Sequence, residues 1–91
     1  MNAAEFEAAL CSDGFGEIGT RDLPGGTCKA EHEHPFDVRA LVLSGEITLT
    51  VEGIERAYRE GSVFVMPAGR AHQESVGPAG VRYIFDRRHA T

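Results

Sequence analysis

A chain of 91 residues is enough for one domain with a thin core, because a chain of this size buries only about 60–65% of the surface its unfolded form exposes. Eleven Gly and four Pro lie between short apolar runs and no apolar stretch approaches 18 residues, which argues against a helical bundle or a membrane span and for a turn-rich β protein. Fourteen acidic against nine basic residues, a net charge of -5, repel a phosphate backbone, so neither nucleic acid nor membrane is an expected partner.

The N-terminus, MNAAEFEAALC, has no basic start or long apolar core and does not read as a signal peptide. Cys11 and Cys28 are therefore expected as reduced thiols in a cytoplasmic protein, with no disulfide. Residues 3–11 place Phe6 and Leu10 four apart among good helix formers, which predicts a short amphipathic helix within an N-terminal arm, residues 1–14. From Glu17 onward, runs of five to eight residues separated by glycine turns have the spacing of a β-barrel or sandwich.

The clearest predicted strand pair is LVLSGEITLTVEG. Ser44-Gly45 supplies its turn, and Ile47, Leu49 and Val51 alternate with Glu46, Thr48, Thr50 and Glu52. Further turns are expected at Gly53, at Glu60-Gly61 and at Pro78-Ala79-Gly80, the last leading into a strand over residues 81–85 and then a polar tail, DRRHAT, with a solvated His89.

His32 and His34 stand two apart, so an extended backbone puts both imidazoles on one face, about 6–7 Å apart at Cα. His72, following the rigid Pro67-Ala68-Gly69 turn, is the candidate third imidazole. Three neutral imidazoles suit a divalent transition metal ion (iron, zinc, nickel, manganese or copper) and leave coordination positions open. The competing reading is a solvated acidic edge carrying two surface histidines. The same parity puts Cys28 on the interior face as a small packing residue.

The spacing of these residues resembles the cupin family, whose two motifs run glycine, five residues, H-x-H, three or four residues, glutamate, six residues, glycine, and glycine, five residues, P-x-G, two residues, histidine, three residues, asparagine. Here residues 26–45 read Gly26-TCKAE-His32-Glu33-His34-PFD-Val38-RALVLS-Gly45, and residues 61–76 read Gly61-SVFVM-Pro67-Ala68-Gly69-RA-His72-QES-Val76. Eight of ten motif positions match; Val38 stands where the family has its metal-binding glutamate and Val76 where it has asparagine. The resemblance implies an all-β jelly-roll barrel of two antiparallel sheets, with a metal held by His32, His34 and His72 at one end of a cavity for a small organic molecule.

The missing glutamate leaves two substitutes. Asp37 is one residue early and faces away unless a bulge intervenes, whereas Glu74, two after His72, shares its face and could ligate or act as a base. Tyr83 is a second catalytic candidate if it faces inward, and an interface aromatic if outward. Arg39 and Arg70 flank the motifs and could meet an anionic ligand at the mouth. Three functions fit: a metal-dependent oxygenase, isomerase or lyase; a binding or sensing barrel in which the metal organises a ligand without chemistry; or a structural barrel with a vestigial site. Exposed strand edges predict a homodimer.

Overall fold

The computed structural model describes residues 2–12 and 17–89. In chain order it contains α1 (Ala3–Ser12), β1 (Glu17–Leu23), β2 (Cys28–His32), β3 (Phe36–Val51), β4 (Ile54–Arg59), β5 (Val63–Met66) and β6 (His72–His89). All pairings are antiparallel and belong to one hydrogen-bonded network. Two strands, β3 and β6, are long enough to serve in two layers.

Their first contact region pairs residues 36–42 of β3 with 83–89 of β6, and carries β1 on one side and β5 on the other. Their second pairs residues 47–50 with 73–76, and carries β2 and β4. The register slips between them, at Val42/Ser44 and Gly45/Ile47. The result is two four-stranded antiparallel layers joined at a corner, as the jelly-roll expectation requires.

That corner corrects the predicted hairpin at Ser44-Gly45 and the predicted strand break at Pro78-Ala79-Gly80. Both segments lie inside continuous strands and cross each other there. Gly45 and Gly80 have φ of +80° and +83°, and a Cβ at Gly45 would overlap the carbonyl of Gly80. Glycine thus serves close backbone approach here, not chain reversal. The turn expected at Gly53 is present: Glu52 and Gly53 both have positive φ between the paired Val51 and Ile54, a two-residue hairpin whose twist suits antiparallel strands.

Between the layers lies the main core, Ala40, Val42, Ile47, Leu49, Phe64, Met66, Val76, Val81 and Tyr83. A smaller cluster on the outer face of the first layer joins Leu41 and Ile84 to Phe6 of α1. This explains why residues 40–42 are all buried despite strand alternation: both faces are covered. α1 starts where the side chain of Asn2 accepts the backbone N–H of Glu5 (2.9 Å), an N-cap. The predicted helix is thereby observed over residues 3–12, with the side chains of Leu10 and Cys11 and that of His89 outside the described residues. Among the described residues no helix is long and apolar enough to cross a membrane.

Candidate metal centre

β2 pairs Cys28 with Ser75 and Lys29 with Glu74, but His32 with His72, so three residues of β2 oppose two of β6. The extra residue is a β-bulge, and it inverts the parity along the strand. Lys29 and His32 both face the interior; Cys28 is turned out, where it is an exposed free thiol 3.8 Å from the Ser75 hydroxyl. The expectation of an interior Cys28 is corrected on this ground.

His34 lies past the end of β2, and its carbonyl accepts the N–H of Gly69 (2.8 Å), tying the first histidine pair to the turn that delivers His72. Asp37 makes a second tie: Oδ1 accepts the N–H of Ala68 (2.8 Å) and Oδ2 accepts the Arg88 guanidinium (3.0 Å). Those two donors, the amide first, hold its carboxyl below the usual range. Asp37 is thus a positioning residue for the turn and stands outside the donor cluster.

The three imidazoles converge, with ring centroids 4.4 Å apart for His32 and His72, 5.0 Å for His32 and His34 and 5.3 Å for His34 and His72. Glu74 completes the set, its Oε2 lying 3.0 Å from Nε2 of His32 and 3.5 Å from Nε2 of His72. One donor atom from each of the four residues lies within 4.8 Å of all the others. The carboxylate of this cluster stands on the opposite layer from position 38: Val38 belongs to the half of β3 that pairs with β5, whereas Glu74 belongs to the half of β6 that pairs with β2.

A family profile for the cupin domain matches residues 20–84. The chain belongs to the cupin family. No curated protein matches its sequence. Among solved structures it is similar to a protein of unknown function from Rhizobium leguminosarum (18% identity, TM-score 0.75, covering 80% of this chain and 69% of that one). It is also similar to the cupin domain of Cnp3 from Schizosaccharomyces pombe (21%, 0.72, 80% and 55%) and to KdgF from a Halomonas species (24%, 0.63, 79% and 68%). At these identities the likeness is one of fold, and the chain spans only about half to two thirds of those relatives.

The donor chemistry of this cupin fits a cation. Nδ1 of His32 lies 2.8 Å from the carbonyl of Ala30, and Nδ1 of His72 lies 3.1 Å from that of Arg70. A carbonyl can only accept, so both Nδ1 atoms carry a proton; in the neutral imidazole both Nε2 atoms then present lone pairs to Glu74. Lone pairs facing a carboxylate repel unless a positive charge, a proton on Nε2 or a metal ion, stands among them. Burial, then the neighbouring His32 and His72, pushes His34 below the ordinary histidine value, favouring the neutral, ligating form. The ring of His34 stacks on Phe36 at 4.9 Å, which fixes its plane.

The cluster forms one wall of a pocket of about 550 Å³, counted out to its open mouth, with apolar walls from Phe36, Val38, Leu49, Phe64, Met66 and Phe85. Tyr83 faces inward, resolving the two orientations the sequence leaves open. Burial raises its hydroxyl above the ordinary value, and the Arg21 side chain hydrogen-bonds it. Arg39 and Arg70 do not line this pocket: Arg39 pairs in register with the buried Asp86 on the outer side, and Arg70 borders a separate groove. The cations at the mouth are Arg21, Lys29 and Arg87, which sequence reasoning missed. Arg87 falls in the stretch read as a polar tail, but β6 continues to His89, with Asp86 fully buried on one face and Arg87 in the pocket on the other.

Proposed function

We propose that this cupin binds one divalent transition metal ion through His32, His34, His72 and Glu74 and holds a small organic molecule beside it in the adjoining pocket. The observation that carries this reading is the convergence of ligand atoms: two Nε2 atoms and one carboxylate oxygen within 3.0–3.5 Å, with Nδ1 of both rings turned to backbone carbonyls. When bound, the ion supplies Lewis acidity to an oxygen-bearing ligand and, if redox-active, electron transfer. Iron, zinc, nickel, manganese and copper all suit imidazole ligands.

The chain's own part in an oxygenase, isomerase or lyase reaction is to orient the ligand against apolar walls and to move protons. Tyr83, held neutral by burial, serves as a hydrogen-bond donor from the pocket wall. Glu74, drawn to His32 and His72, serves as a ligand, which removes it as a base. That assignment of Glu74 favours a second reading, a binding or sensing barrel without turnover. Assembly follows from the edges: Ile18 on β1, Ile54 on β4 and Val65 on β5 are exposed apolar side chains on edge strands, which supports a homodimer.

Elemental analysis of untagged protein tests the site. About one ion per chain is expected in the wild type, and none in a folded His32→Ala/His34→Ala/His72→Ala variant. Failure of the wild type to take up any of the five ions after reconstitution would overturn the reading in favour of a vestigial barrel.

A further inference from the structure

The chain carries a net charge of -5, yet its pocket has the opposite sign: three cations, Arg21, Lys29 and Arg87, against one carboxylate, Glu74. A divalent ion in the cluster would make that excess larger. Three arginines outside the pocket are matched to carboxylates: Arg59 with Glu46, Arg82 with Asp22 and Arg88 with Asp37. No carboxylate among the described side chains is paired with Arg21, Lys29 or Arg87.

Two of these cations rest against aromatic rings, and one of them, Arg21, also hydrogen-bonds the Tyr83 hydroxyl, which leaves the other N–H groups of its fork for a ligand. The Arg87 guanidinium lies over Phe36 (4.8 Å to the ring centroid) and over Phe85 (5.5 Å), and that of Arg21 lies over Phe85 (5.6 Å). Cation–π contact occupies the face of a guanidinium, while its N–H fork lies in the plane. Both guanidinium groups thus lie beside the same phenylalanine. Phe85 keeps its own position through Gly19, its partner on β1, where any Cβ would stand 3.1 Å from the ring. On the other layer Lys29 is in register with Glu74, brought inward by the bulge.

From this geometry we infer that the pocket's ligand is a small organic acid whose carboxylate is received by the guanidinium edges of Arg21 and Arg87, with Lys29 adding charge from the opposite layer. The planar fork of a guanidinium matches a carboxylate. The apolar walls of Val38, Phe64 and Met66 match a carbon skeleton, which a free inorganic anion lacks. The inference rests on the reading of this pocket as a ligand site and names the ligand's chemistry.

The test uses ¹⁵N-labelled full-length protein, both as purified and after chelation, titrated with benzoate and pyruvate and with their uncharged counterparts benzamide and methyl pyruvate. The arginine Nε–Hε resonances and the dissociation constants are read together. Both acids are expected to bind at least tenfold more tightly than their counterparts and to shift the signals of Arg21 and Arg87. Arg21→Gln or Arg87→Gln is expected to weaken acid binding about tenfold or more. Arg87→Lys, which keeps the charge and the stem, is expected to be intermediate, and Arg82→Gln, outside the pocket, to match the wild type.

Charge-selective binding by a protein that holds no metal would leave this inference standing while the metal reading fell. A metal-loaded protein that binds acid and counterpart equally would overturn the inference alone. So would failure of both acids to bind at about 10 mM, or inorganic phosphate binding as tightly as either acid.

Discussion

Replacement of Glu74 by Gln separates the metal reading from a purely structural one, because the two predict opposite signs. With an ion about 2.1 Å from the carboxylate oxygen, even the dielectric constant of bulk water gives an attraction of about 4 kcal/mol between a divalent cation and a unit negative charge. Glu74 is already withdrawn from water, its side chain only 10% exposed, so its desolvation is present in the metal-free protein and does not offset the gain on binding. Gln keeps an oxygen that can ligate but loses the charge. Affinity for zinc or nickel, measured by competition with a chromophoric chelator, is expected to fall by two to three orders of magnitude, roughly. Without metal the sign reverses. Where the His32 ring is neutral, the Gln amide can donate to its Nε2 in place of a carboxylate oxygen that can only accept at 3.0 Å, and stability to urea is expected to rise by about 1 kcal/mol. A folded Glu74→Gln protein with wild-type metal affinity would refute the assignment of Glu74 as a ligand. Lower stability in the metal-free variant would refute the lone-pair argument.

The tie from Asp37 to the Pro67–Gly69 turn has a defined pH dependence. Its carboxyl is held below the usual value in the folded chain, so the folded state takes up that proton less readily than the unfolded one. The stabilisation is therefore complete above the unfolded value of about 3.9 and is lost as pH falls through the folded value. In urea titrations the wild type is expected to exceed Asp37→Asn by a constant margin from pH 5 to 8 and the two to converge below about pH 4; a margin that persists into acid would exclude this cause. For assembly, light scattering is expected to return twice the chain mass, falling to one chain mass when Ile54 and Val65 are both replaced by Lys; a monomeric wild type would remove the homodimer.

The sequence makes the histidines legible because period two and motif spacing both depend only on counting, and the structure brings His32, His34 and His72 together as counted. Glu74 was within reach for the same reason, since it shares a face with His72 on one uninterrupted strand. Counting fails where a strand changes layer or gains a residue. Ser44-Gly45 looks like a hairpin because a glycine with positive φ serves a turn and a barrel corner equally well. What separates the two is the second segment, Pro78-Ala79-Gly80, whose Gly80 crosses Gly45 from 35 residues away. The bulge between Lys29 and His32 carries no glycine or proline to mark it, so parity assigned Cys28 to the interior when the interior residue is Lys29.

This bulge does more than correct a parity. Without the extra residue, an inward His32 would bring Ala30 and Cys28 inward with it, and β2 would offer the pocket a methyl group and a thiol. With it, the strand keeps its histidine in register with His72 and adds a cation beside the carboxylate of Glu74. The local charge follows from that one residue. Lys29 offsets Glu74, so the positive excess of the pocket is carried by Arg21 and Arg87, the two cations stacked on Phe85. Val38 fits the same arrangement. A glutamate there would stand on the strand pair that carries Arg87, with which Val38 is in register, and would neutralise the guanidinium that the other layer leaves unpaired. Under the proposed metal site, a carboxylate at position 74 in place of one at position 38 keeps four donors for an ion while leaving the Arg87 fork to a ligand, and it ties the departure from the family motif to the charge of the pocket.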